Sequence, residues 1–313
     1  MDSANESHLD SRAAVQEVSH AVKVSIGLML AMVFVAWILV MLIAPISAEF
    51  MSNNGKFLES EGDKLTLILF LMGLPMMLFL YSKRLLFKEF FKERVNKMTM
   101  RIFIQILLVI VGIISLAQTI NVLTYGGISD WIEGQIPMTP ENMFYHFDGL
   151  QFVMICIILP IVEGILYRGY LFNRISQYSI GLAIASIGVL HSFSGANVVM
   201  MVFAYAIGII LTYVNYRYGL KWSIVLDCIA TMVVIGIGRG ILMGQEISIM
   251  TLTVYILGIV SMLASLTILW IHRDTLKAQW LYFNQEPLNY KLMFKSKWLM
   301  FLIILGIFVS IIQ

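Results

Sequence analysis

The chain has 313 residues, of which 59% are hydrophobic and 13% charged, with a formal net charge of +2. A water-facing domain carries about a quarter charged residues to solvate its surface, so this composition excludes a soluble globular protein. No basic groove interleaved with aromatics occurs along the chain, which excludes a nucleic-acid partner.

The apolar residues fall in long runs. A helix rises about 1.5 Å per residue, so roughly 20 apolar residues cross the hydrocarbon core. In lipid the backbone must satisfy its own hydrogen bonds, which turns such runs into helices. Residues 1–22 contain Asp2, Glu6, Asp10 and Glu17, unlike the basic start of a secretory signal, and the first run, 24–47, reads as a retained anchor. Further runs follow at 65–81, 102–123, 149–171, 178–195, 197–216, 222–243, 250–271 and 297–312. The expected architecture is all-α, a polytopic transmembrane helix bundle of about eight to nine spans. The fifth and ninth runs are short enough to be tilted, re-entrant or interfacial.

Lys and Arg concentrate in cytoplasmic loops. Here they gather after the second run, from Lys83 to Arg101, and after the eighth, as Arg273, Lys277, Lys291, Lys295 and Lys297. The loop 124–148 has none and carries Asp130, Glu133, Glu141 and Asp148. Alternation of the spans then places the N-terminus in the cytoplasm of a multi-pass cell-membrane protein. Segments 83–98 and 276–294 mix aromatic and basic residues, the latter with Trp280, Tyr282, Phe283, Tyr290 and Phe294. Both read as interfacial helices or as basic loops. Cys156 and Cys228 lie inside apolar runs and read as small buried hydrophobes. Gly236, Gly240 and Gly244 form a small-residue ridge suited to close helix packing.

Ionisable groups inside apolar spans cost several kcal/mol and are functional candidates by default. Glu163 and Arg168 lie in the fourth run, His191 in the fifth and Asp227 in the seventh, with Thr231 four residues beyond on the same helical face. Pro160 removes a backbone donor just before Glu163 and predicts a kink there. A carboxyl group in such a setting suits a general base. Alternatively, Glu163 and Arg168 hold the bundle together as a pair, but in an α-helix a five-residue offset separates them by about 140°. Arg168 is therefore expected to snorkel or to pair with another helix. His191 alone reads as a hydrogen-bonded core residue; an intramembrane glutamate one span earlier points to a site.

These stations, in this order, resemble the CPBP family of CAAX proteases and bacteriocin-processing enzymes. The family's Glu-Glu-x-x-x-Arg motif is met by Glu163-Gly164-Ile165-Leu166-Tyr167-Arg168, with Gly164 in place of the second Glu. Its Phe-x-x-x-His motif is met by Ile187-Gly188-Val189-Leu190-His191, without the Phe. Its His-x-x-x-Asn/Asp motif falls on Asp227-Cys228-Ile229-Ala230-Thr231, where both functional positions differ. Phe203, Gly208 and the stretch Trp222-Ser223-Ile224-Val225-Leu226 are also similar to the family.

The resemblance implies hydrolysis of a membrane-associated peptide or protein within the bilayer, with Glu163 activating water and His191 assisting. The third motif implies oxyanion stabilisation by Asp227 and Thr231, which requires a protonated Asp227 and a hydroxyl donated by Thr231. The expected organisation is an N-terminal part, 1–148, a motif-bearing core, 149–245, and a C-terminal part, 246–313. The alternative is a catalytically degenerate relative, a membrane scaffold or regulator of a partner membrane protein. A transporter would show inverted repeats, and none is found. Neither a cofactor nor a metal is implied by the motifs; a metal held by Glu163, His191 and Asp227 is a minor alternative.

Overall fold

The computed structural model describes residues 12–28, 31, 78, 96–121, 153–192, 198–242, 249–285, 294–297, 299–300 and 303–304. The regular structure among them is helical: α1 (12–28), α2 (Met100–Asn121), α4 (Ile180–Ser192), α5 (Val198–Tyr218), α6 (Leu220–Leu242), α7 (Ile249–Ile271) and α8 (Arg273–Gln285). Between α2 and α4, the composite helix α3 runs from π-helical Met154–Ile158 through α-helical Leu159–Glu163 and π-helical Gly164–Leu171 to Phe172–Ile175. The runs 24–47, 65–81 and 297–312, the segment 83–98 and Gly244 lie largely or wholly outside the described residues.

Among the described residues, Met100–Ala117, Ile155–Ile175 and Val198–Tyr218 are long and apolar enough to cross a membrane, and α7 with α8 makes a fourth if the bent pair is one span. The protein is thus a helical membrane bundle. α4, with 13 residues, reaches about 20 Å, short of the ~30 Å hydrocarbon core, as the short fifth run anticipates.

Two apolar clusters hold the bundle. In one, Leu166, Leu171 and Phe172 of α3 pack with Leu182, Ile187 and Leu190 of α4 and with α1. In the other, Ile110 and Ile114 of α2 meet Leu211 and Val214 of α5. α6 joins them, giving Leu220 and Ile224 to the first and Leu226 and Ala230 to the second. α5 passes into α6 through Gly219, whose φ of 101° is the left-handed conformation that ends a helix and favours glycine. The turn draws Ser223 against α5, where its hydroxyl donates to the Leu211 carbonyl at 2.8 Å.

α1 was not evident in the sequence, where its residues read mainly as an acidic lead-in. Ala14, Val18, Ala21 and Val22 recur at i, i+4, i+7 and i+8 and are buried against α3 and α4. Glu17 pairs with Arg174 at 2.7 Å, and the hydroxyls of Ser19 and Ser296 meet at 2.9 Å. α7 closes on α2 through small residues: the Ser265 hydroxyl donates to the Leu108 carbonyl at 2.7 Å, beside Gly112. Close backbone approach is how membrane helices gain packing energy without a hydrophobic driving force. The other side of α7, with Ile256, Leu257, Val260 and Leu263, is exposed.

Candidate active site

α3 positions the first two candidates. Pro160, buried at the head of the α-helical stretch, has no N–H and crowds the carbonyl four residues back; the helix widens to a π turn on that side. It widens again from Gly164. In a π-helix the hydrogen bond spans five residues, so i and i+5 stack as i and i+4 do in an α-helix. The α-helical expectation that Glu163 and Arg168 face apart is therefore corrected: the π geometry brings them to one side, and the Arg168 charge acts on Glu163.

Arg168, 3% exposed, forms an ion pair with Asp227 of α6, which is 4% exposed. The Arg168 backbone is held from α5, where Asn215 donates its side-chain amide to the Arg168 carbonyl at 2.6 Å. The Arg168 Nε is buried without a hydrogen-bond partner. The position of the absent second glutamate, Gly164, explains the partner chosen. A Cβ there would lie 2.6 Å from the Ile224 side chain and 2.9 Å from the Arg168 guanidinium. The carboxylate that Arg168 needs comes across from α6.

His191 ends α4 against the backbone of α5. A Cβ on Gly208 would stand 2.7 Å from the His191 Cβ and 3.1 Å from the Gly188 Cα, so two glycines are what let the imidazole-bearing turn close on α5. The charges of Asp227 and Arg168 both act on His191, as they do on Glu163. Glu163 and His191 are of intermediate burial, whereas the ion pair that joins α3 to α6 is sealed. Thr231 lies one turn along α6 and donates its hydroxyl to the Asp227 backbone carbonyl at 3.0 Å. The Asp227 side chain thus faces the Arg168 guanidinium, and the Thr231 hydrogen is engaged within its own helix.

A family model described as type II CAAX prenyl endopeptidase Rce1-like matches residues 146–233. This segment is similar to the Rce1-like CAAX endopeptidases. The match bears out the CPBP resemblance and supports a CAAX-type endopeptidase in general. Neither the curated proteins nor the solved structures contain a match to the chain.

The matched segment contains α3, α4, α5 and the first part of α6, and with them Glu163, Arg168, His191, Asp227 and Thr231. Among the described residues, no three His, Cys, Asp or Glu side chains group as metal ligands. Two neighbours escaped the sequence. Asn215 is polar but sits at a helix end where polarity is ordinary. Tyr167 looks like a core aromatic, yet it bonds to Ser25 of α1, whose own hydroxyl donates to the Ala21 carbonyl at 2.9 Å.

Proposed function

We propose that the protein hydrolyses a peptide bond of a lipid-anchored substrate, with Glu163 as general base and His191 beside it. The observation that supports this reading is that one buried ion pair, Arg168 with Asp227, ties α3 to α6 and its charges act on both Glu163 and His191. Glu163 takes a proton from water as the water oxygen bonds to the scissile carbonyl carbon, and the carbonyl electron pair moves to oxygen. The C–N bond then breaks, and the proton held by Glu163 passes to the departing amine. General-base assistance of this kind supplies about 10²- to 10⁴-fold. His191 orients the attacked carbonyl or the water.

Arg168 and Asp227 act as positioning residues. Their mutual neutralisation removes the repulsion that an isolated aspartate would exert on a developing oxyanion, and the Arg168 Nε–H is a donor still unspent. The test is digestion of a C-terminally lipidated peptide by the purified protein in lipid nanodiscs, read by mass spectrometry. Glu163→Gln is expected to abolish product. An identical product profile from the variant would overturn the assignment.

One observation favours a second reading: Thr231 spends its hydroxyl on backbone and Asp227 its carboxylate on Arg168, leaving the third-motif positions structural. A degenerate scaffold would keep its cellular phenotype with Glu163→Gln and with His191→Ala. Loss of phenotype with either variant rejects it.

A further inference from the structure

α1 holds a buried polar group to which the hydrolytic reading gives no role. Its buried stripe, Ala14, Val18, Ala21 and Val22, continues one turn on to Ser25, which is 0% exposed. A hydroxyl taken wholly out of water is costly unless its hydrogen-bonding capacity is met. It has one hydrogen to give and lone pairs that accept. Ser25 gives its hydrogen to the Ala21 carbonyl at 2.9 Å, so toward any other group its oxygen is an acceptor. The Tyr167 hydroxyl, on a buried residue of α3, is bonded to it and is therefore the donor.

This bond reaches the site through the register of α3. Tyr167 and Arg168 follow Glu163 by four and five residues, so in the widened helix from Gly164 both lie one turn beyond it. Arg168 is tied to Asp227 of α6. Tyr167 is tied to a different helix, through Ser25 of α1, and the Glu163 charge acts on it. The turn beyond Glu163 is thus strapped to two helices, once by an ion pair and once by a pair of hydroxyls. α1 lies outside residues 146–233 that match the family model, so the match assigns it no part in the site.

We propose that Ser25 is a positioning residue: by holding the Tyr167 hydroxyl it fixes the turn of α3 that presents Glu163, and α1 thereby completes the site. The inference rests on Glu163 being the base. Its loss falls on turnover rather than on substrate affinity, because a displacement of about 1 Å among reacting groups costs up to about a hundredfold in rate.

The test compares Ser25→Ala, Tyr167→Phe, the double variant and Ser19→Ala in the full chain in lipid nanodiscs. Ser19, whose hydroxyl meets Ser296 instead, controls for the docking of α1 as such. On the lipidated peptide, Ser25→Ala and Tyr167→Phe are each expected to lower kcat about tenfold or more with KM unchanged. The double variant is expected to lower it no further, since both changes remove one interaction. Ser19→Ala is expected to keep the parent kcat. A second readout needs no turnover: the rate at which dicyclohexylcarbodiimide, an apolar carboxyl reagent, modifies Glu163, mapped by mass spectrometry. That rate is expected to rise severalfold in Ser25→Ala and Tyr167→Phe and to stay at the parent value in Ser19→Ala. Parent-like kcat and labelling in Ser25→Ala, effects that add in the double variant, or an equal effect of Ser19→Ala overturns the proposal. If the parent itself yields no product, the hydrolytic reading fails by its own test and the labelling rates decide the role of Ser25. Should Ser25→Ala fail to fold, Tyr167→Phe, which keeps the ring, decides against the Ser19→Ala control.

Discussion

Arg168 and Asp227 each sit where an isolated charge is prohibitively costly, and each is tolerable because of the other. Removing one partner leaves the survivor buried and uncompensated, at a cost of about 3–5 kcal/mol. Asp227→Ala is therefore expected to lower stability by about that much, seen as a large fall in melting temperature in detergent. Arg168→Met with Asp227→Leu is expected to recover most of it while activity stays lost. If Asp227→Ala melts like the parent, the buried pair is misassigned. Gly164 carries a companion expectation. Gly164→Glu alone collides with Ile224 and Arg168 and is expected to destabilise. Combined with Ile224→Ala and Asp227→Asn, which clear the space and remove the competing carboxylate, it is expected to fold as well as the parent. These roles were only half legible in the residues. A charge buried by an apolar run announces itself in one dimension, but its partner, 59 positions away, does not.

At the scale of helices, π turns and close glycine contacts decide where the candidate side chains stand. An α-helical ruler puts Glu163 and Arg168 on different faces; the widened turns from Gly164 to Leu171 reverse that. The kink expected at Pro160 was legible because proline's missing donor is a local property. The π register was not, because the surrounding helices stabilise it, Asn215 among them. At Gly208 the obstacle to a side chain includes the Gly188 backbone as well as His191. Gly208→Ala is accordingly expected to cost about 1–3 kcal/mol and to lower kcat more than KM as His191 shifts. Unchanged kcat with a normal melting temperature would show that α5 yields there. α1 offers a milder case. Its link from Glu17 to Arg174 is partly exposed, so Glu17→Ala is expected to change stability by no more than about 1 kcal/mol. Val18→Asp, which puts a charge at a fully buried position, is expected to undock α1 and to fail a proteolysis-protection assay.

The whole molecule is a helical membrane bundle, and we propose its orientation from its basic loops. Asp274 at the start of α8 is 90% exposed, and in the proposed orientation it lies on the cytoplasmic face. With Cys156 and Cys228 replaced by Ala, Asp274→Cys is expected to resist a membrane-impermeant maleimide in intact cells and to react after lysis. Labelling of intact cells would invert the proposed topology. The helical membrane class was legible from the sequence alone, since run length and the demand for internal hydrogen bonding are properties of consecutive residues. The same holds for the order of the motif stations and the placing of ionisable groups in apolar surroundings. Which carboxylate answers Arg168 and how α1 covers Tyr167 came only with the tertiary structure. Each depends on side chains from separate helices meeting in space, and the energy of such a meeting has no counterpart in any single stretch of chain.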